Sequence, residues 1–201
     1  MHKWPTFSRL VLLLSFVATV LFIGSRDLNA QAAPAAERNG ELSANFAYSV
    51  VWPKWNGISD TNNGFTFGLE YVHYFRHMPP VTPSFVFRGK IAPGNTVGER
   101  TFGGGLKLER AFGAFRPYGD FLISSGVVTF THPVIDVRGK LYSSDNSIVY
   151  SAGGGVDVDL TKTWAARADY QYEWWSIGIN QNFNPRALSI GIVYRLPFRT
   201  F

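Results

Sequence analysis

The stretch TWAARADYQYEWW, residues Thr163–Trp175, carries the reading of the fold. Trp164, Ala166, Ala168, Tyr170, Tyr172 and Trp174 occupy one phase, and Arg167, Asp169, Gln171 and Glu173 the other. A helix, turning about every 3.6 residues, would smear both sets around its circumference. An extended strand changes sides at each residue and sorts them into one aromatic, apolar face and one charged face. Two faces so unlike need two different surroundings.

Working outward, seven further segments alternate in the same way. Gly40–Val50 sets Leu42, Ala44, Phe46 and Tyr48 against Glu41, Ser43, Asn45 and Ala47, and Gly64–Phe75 sets Phe65, Phe67, Leu69 and Tyr71 against Thr66, Gly68 and Glu70. Ser84–Ile91 opposes Phe85 and Phe87 to Arg88 and Lys90, and Arg100–Glu109 opposes Phe102, Leu106 and Leu108 to Thr101, Lys107 and Glu109. In Arg116–Gly126, Phe121 and Ile123 oppose Tyr118, Asp120 and Ser124. In Ser147–Leu160, Tyr150, Val156, Val158 and Leu160 oppose Ser151, Asp157 and Asp159. The last segment, Arg186–Phe198, sets Leu188, Ile190, Ile192, Tyr194, Leu196 and Phe198 against Ser189, Gly191 and Arg195.

Mid-strand charges keep to one phase throughout; His73, near a strand end, is the polar intruder on the apolar phase. Lipid explains the sorting, because Lys or Arg facing hydrocarbon near mid-depth costs about 2–4 kcal/mol and facing a lumen costs far less. No apolar run after Ile23 reaches spanning-helix length, so a chain that enters a membrane must close its sheet, leaving no backbone group unpaired in lipid. The expectation is an all-β protein: a closed antiparallel up-and-down transmembrane β-barrel of about eight strands. A soluble sandwich or barrel also alternates, with its apolar face inside. The aromatic character of the apolar faces favours lipid, as does the position of Trp52, Trp55, Trp164, Trp174 and Trp175 at or beside strand ends, where an interfacial girdle belongs.

The first residues read as an export signal. Lys3 and Arg9 make a basic start, LVLLLSFVATVLFI (Leu10–Ile23) an apolar middle too short to span, and Ala30-Gln31-Ala32 a small-residue cleavage site. The expected organisation is a signal peptide over 1–32, a short linker over 33–39 and one barrel domain over 40–201. Cleavage would remove three basic residues and one acidic residue from totals of 19 and 14, leaving a charge near +3. That balance, without a basic patch, excludes nucleic acid as the expected partner. The absence of cysteine excludes disulfides and thiolate metal sites.

The connections alternate in length. Those after the second, fourth and sixth segments (Arg76–Pro83, Arg110–Phe115, Thr161-Lys162) are fairly short, and those after the others (Val51–Asn63, Ala92–Glu99, Val127–Asn146, Ser176–Pro185) are mostly longer and polar. Short periplasmic turns and long extracellular loops would produce this asymmetry. An echo with a period near fifty residues joins Gly103-Gly104-Gly105 to Gly153-Gly154-Gly155, each followed by Arg116 or Arg167 and an Asp-bearing strand (Asp120, Asp169).

On these residues the chain resembles the small eight-stranded outer-membrane barrels, the OmpA/OmpX-like group. Phe102-Gly103-Gly104-Gly105-Leu106, Arg116-Pro117-Tyr118, Gly153-Gly154-Gly155-Val156-Asp157, Arg167-Ala168-Asp169-Tyr170 and Gly191-Ile192-Val193-Tyr194-Arg195 carry the likeness. The resemblance implies an outer-membrane location, outer-membrane lipid as surroundings, and a last strand read by the barrel-assembly machinery. Ile190, Ile192, Tyr194, Leu196 and Phe198 fit that alternating terminal signal; Phe201 competes with Phe198 for its last position, and Pro197 interrupts the strand.

Candidate chemistry is sparse. The tri-glycines follow no phosphate-binding pattern at a helix start and read as bends or as room for neighbouring aromatics. His73 and His77 lack a third ligand, and with His132 they form no Ser-His-acid arrangement, so neither metal, cofactor nor catalytic residues are expected. The inward charges are the informative set: Glu70, Glu109, Asp120, Asp157, Asp159, Asp169 and Glu173 against Arg88, Lys90, Lys107, Arg167 and Arg195. An eight-stranded barrel is just wide enough for side chains to fill, so these should pair into a polar plug. The expected function is a non-enzymatic structural or surface-interaction role through extracellular loops, with Trp52, Trp55, Phe130 and Tyr142 as loop aromatics able to meet a ligand. The alternatives are a small ion- or solute-conducting pore and an outer-membrane lipid-modifying enzyme.

Overall fold

The computed structural model describes residues 40–53, 61–73, 81–135, 141–178 and 183–198. The expected signal peptide and linker, with Trp55, His77 and Phe201, lie outside these residues. The strands are β1 (Gly40–Trp52), β2 (Asn62–His73), β3 (Thr82–Ala92), β4 (Val97–Glu109), β5 (Phe115–Ile135), β6 (Leu141–Asp159), β7 (Trp164–Trp175) and β8 (Arg186–Phe198). Each pairs antiparallel with its sequence neighbours, and β8 returns to β1 from Gly40↔Phe198 to Trp52↔Arg186. Closure leaves no free edge through the barrel wall, which is what hydrocarbon demands of a backbone.

The period-two pattern is legible in the burial of every wall strand. Leu42, Phe46, Phe65, Leu69, Phe85, Phe102, Leu106, Phe121, Ile123, Ile190 and Ile192 are exposed on the outside, while Ser43, Glu70, Arg88, Lys107, Asp120, Asp169 and Arg195 are buried inside. The molecule is thus inverted relative to a soluble barrel. Neighbouring outer aromatics also pack on one another, Phe46 on Phe65 at 5.4 Å between ring centres and Phe121 on Tyr150 at 6.4 Å.

Some glycines exist for close approach. A Cβ on Gly89 would lie 2.5 Å from the Phe67 ring, which covers that position on the lipid side. A Cβ on Gly155, facing inward, would lie 2.8 Å from the Tyr118 hydroxyl. Gly113, with φ of 63°, makes the tight β4–β5 turn that a side chain would strain.

The structure departs from the sequence-based expectation in three places. Much of the expected polar loop Val127–Asn146 is strand: β5 and β6 run on together to Ile135↔Leu141, with a register irregularity between Thr129 and Val134. The β4 ladder stops at Val97↔Phe130 and the β7 ladder at Val149↔Trp175, so the pair continues as a two-stranded ribbon beyond the wall. Its polar outer residues concealed the alternation, because a ribbon outside lipid needs no apolar face. The expected loop Ala92–Glu99 shrinks to residues 93–96 between β3 and β4. The asymmetry between the two rims is therefore carried more by the ribbon than by loop length. Lastly, Pro197 does not end β8, for its partner is Glu41 on β1. The β7 ladder has already finished at Trp164↔Tyr194, leaving one neighbour to satisfy where proline cannot donate.

Candidate functional site

The site is the lumen, and its side chains arrive because alternate residues of eight strands converge on one narrow axis. Both ends of the described chain and the short β4–β5 and β6–β7 turns lie on one rim and the ribbon rises from the other; short periplasmic turns and longer extracellular segments are the pattern of outer-membrane barrels, and the two rims are labelled by that pattern. From the periplasmic end upward the charges form a stack. Arg116 Nε donates to Asp159 Oδ2 at 2.9 Å and Nη1 approaches Glu109 at 3.4 Å. Arg195 pairs with Asp159, with Glu41 at 3.3 Å, and with Asp157 Oδ2 at 3.0 Å.

The next level centres on Arg167. Its Nε and Nη2 donate to both oxygens of Asp157 at 2.7 and 2.8 Å, a bidentate pair, while Nη1 and Nη2 bond Glu70. Lys107 Nζ donates to Glu70 Oε2 at 2.8 Å, lies 3.0 Å from Glu109, and sits 4.3 Å from the Tyr118 ring centre. Above it, Arg88 bonds Asp120 at 2.7 Å and Asp169 at 3.4 Å, while the Tyr118 hydroxyl donates to Asp169 Oδ2 at 2.7 Å. Gln171 Nε2 donates to Asp120 Oδ1 at 2.7 Å. Uppermost, Lys90 Nζ bridges Glu99 at 2.9 Å and Glu173 at 2.7 Å.

Every lumen charge expected from the sequence lies in this stack. Glu41, Glu99 and Arg116 join it without having been named among the expected lumen charges, and so do the neutral donors Tyr118 and Gln171. Glu99 belongs to the inward phase of β4 (99, 101, 103, 105, 107, 109); following that phase upward past Thr101 would have found it. Taking one partner from a buried pair of this kind costs about 3–5 kcal/mol, because the other charge is left unpaired away from water.

The extracellular mouth is apolar on its inner side. Val97, Val128, Phe130, Val149, Trp175, Ile177 and Phe183 form a buried cluster, with Tyr142 packed against it. Trp175 corrects the interfacial expectation: it is 5% exposed, its ring lies 5.3 Å from that of Phe183, and its Nε1 donates to Glu173 Oε2 at 2.9 Å. Two residues from Glu173 on the inward phase, it follows the charges into the barrel, and Gly126 makes the space it fills. Phe130 is likewise buried at the mouth rather than displayed on a loop, and Tyr142 is half-buried. Trp164 and Trp174 do face outward, at opposite rims, paired with Tyr194 at 4.7 Å and Tyr172 at 4.8 Å; Trp52 faces outward half-buried. Ile190, Ile192 and Leu196 face outward along β8, and Phe198 is its last residue.

Below the mouth lies a cavity of about 20 Å³, lined by Thr66, Arg88, Lys90, Asp169, Gln171 and Glu173 among others. That is room for roughly one water molecule. Among the described residues no group of three or more His, Asp or Glu side chains is arranged to hold a metal ion.

The outer membrane protein β-barrel domain family matches this chain over residues 18–195. The chain belongs to that family. As an outer-membrane barrel it has a lipid-facing belt on its outer surface, and its inward charges line a lumen shielded from that lipid. Among solved structures, Ail, the attachment invasion locus protein of Yersinia pestis in complex with the heparin analogue sucrose octasulfate, aligns at 15% identity. That alignment covers 80% of this chain and 99% of Ail with a TM-score of 0.51. Neisserial surface protein A aligns at 15% identity over 80% of this chain and 97% of its own, with a TM-score of 0.49. Outer membrane protein OprG from Pseudomonas aeruginosa aligns at 13% identity over 83% and 99%, with a TM-score of 0.44. At such identities the likeness is one of fold. No curated protein sequence matches the chain.

Proposed function

We propose that this outer-membrane barrel neither conducts nor catalyses, and that it serves as a rigid membrane anchor for an extracellular β5–β6 ribbon that meets a partner at the cell surface. The observation that carries the reading is the filled lumen among the described residues: ion pairs from Glu41 to Glu99, then an apolar mouth cluster, with a water-sized cavity below it. A pore would need a continuous wet path, and the stack offers linked charges in its place. The ribbon supplies what a contact surface needs, two antiparallel strands that pair again past the irregularity, with Ile135 and Leu141 exposed at its end. Against catalysis, His73 ends β2 at the periplasmic rim and His132 stands on the ribbon, so the barrel separates them.

In this reading residues 1–32 direct export and are removed after Ala32, and outer-membrane lipid surrounds the Trp52, Trp164 and Trp174 girdle. Phe198 closes the terminal pattern offered to the barrel-assembly machinery. Planar-bilayer recording of purified protein tests the sealed lumen: the expected trace is silent. Steady openings that persist in the full-length barrel would overturn it in favour of a small pore.

A further inference from the structure

The outer face of the barrel carries charge of one sign. Every described carboxylate, from Glu41 on β1 to Glu173 on β7, occupies the inward phase of its strand. Among the described strand residues the outward phase has no acid, and its arginines are Arg100, exposed towards the top of β4, and Arg186, half-buried at the start of β8. Both stand towards the extracellular rim. An arginine near an interface can extend its head out of the hydrocarbon, so height alone calls for no partner. The surroundings of Arg186 do.

Aromatic residues of the same outward phase stand on both sides of it. Its cross-strand partners are Trp52 on β1 and Tyr172 on β7. The guanidinium lies over the Tyr172 ring, 5.4 Å from its centre, and Tyr172 in turn packs on Trp174 at 4.8 Å. Arg186 Nε is buried with no hydrogen-bond partner. The ring covers one face of the guanidinium and burial closes off Nε, which leaves the two Nη groups as its donors. Tryptophan and tyrosine of an interfacial girdle sit at headgroup level, so headgroups are what those donors meet. We propose that Arg186, set between Trp52 and Tyr172, binds the phosphate of an anionic lipid in the extracellular leaflet. The N–H groups of a planar fork match two phosphate oxygens, an arrangement that an ammonium cannot reproduce. A zwitterionic headgroup would bring a cation with it, and no described carboxylate stands on the outer face to receive it. The inference rests on the outer-membrane setting of the barrel and is independent of the surface role proposed for the ribbon.

The test is native mass spectrometry of the full barrel in an uncharged maltoside detergent, titrated with diphosphoryl lipid A or with the same lipid stripped of its phosphates. The unaltered protein should hold the phosphorylated lipid about tenfold or more tightly than the stripped one, the order expected of charge-assisted hydrogen bonds. Arg186→Gln should abolish that preference, and Arg186→Lys, which keeps the charge without the fork, should lose most of it. Arg110→Gln, which removes an exposed cation from the β4–β5 turn at the opposite rim, should leave it unchanged. Unboiled electrophoretic mobility shows whether each variant has folded. Tyr172→Leu, which takes away the ring beside the guanidinium, should weaken the preference and serves if the Arg186 variants do not fold. Equal retention of the two lipids by the unaltered barrel means that acyl chains alone are held, and overturns the site. Equal losses in Arg186→Gln and Arg110→Gln mean attraction by diffuse charge, which overturns it as well. Displacement of lipid A by inorganic phosphate means that the fork takes the free ion, and this too overturns a lipid site.

Discussion

At the residue scale, depth and direction decide what each side chain is worth. Ile123 and Leu122 are sequence neighbours, yet Ile123 is half exposed toward lipid and Leu122 is buried in the lumen. Ile123→Arg should therefore cost about 2–4 kcal/mol, the penalty for a cation on the lipid face near mid-depth, read as a lowered unfolding midpoint in phospholipid vesicles. On the inner side Arg167 holds Glu70 and Asp157 together. Arg167→Met should destabilise the barrel by about 3–5 kcal/mol, and adding Glu70→Gln should recover part of that by removing one stranded charge. If the double variant is no more stable than the single, the pair is not what Arg167 contributes. The twelve inward charges named from the sequence were legible because charge respects phase; Glu99 was missed because it stands at the top of β4, where a turn was expected.

At the scale of the element, β5 and β6 differ from every other strand in overshooting the wall. The apolar mouth cluster takes Val128, Phe130 and Val149 from their lower parts, and the ribbon above contributes only Tyr142 to that packing. Deleting residues 132–141 and joining the strands with a short turn should leave a folded barrel, with its compact electrophoretic form intact, while abolishing attachment to whichever surface the full protein recognises. Loss of the compact form would show the ribbon to be part of the barrel's own stability. Sequence reading caught the hairpin echo but not the ribbon, since period two is visible only where its two faces meet different solvents, and both faces of a ribbon beyond the membrane meet water.

For the whole molecule, closure couples the stack and the cap. Phe183 is fully buried at the mouth, bridged to Trp175 by a backbone hydrogen bond at 3.1 Å. Opening the cap alone with Phe183→Ala should not produce steady conductance, because the ion-pair levels below still fill the axis; bilayer recording checks this. The intact protein should also migrate faster in SDS before boiling than after, since a closed barrel resists detergent until its backbone ladder melts.

The sequence by itself determined the strand number, the antiparallel order, the inward charges and the outward aromatics, because lipid and lumen impose opposite chemistry on alternate residues of one chain. Only the tertiary structure decided which charges meet. Asp157 and Arg167 are directly paired across adjacent strands, but Arg167 with Glu70, and Lys90 with Glu173, join strands that are not neighbours in the wall. Those contacts depend on how far strands stagger as the sheet closes, a property of the whole circle that no single segment carries. The same closure turned Trp175 inward to the mouth, gathered an apolar cap from four strands and the β7–β8 connection, and left four carboxylates around two cations in the upper lumen.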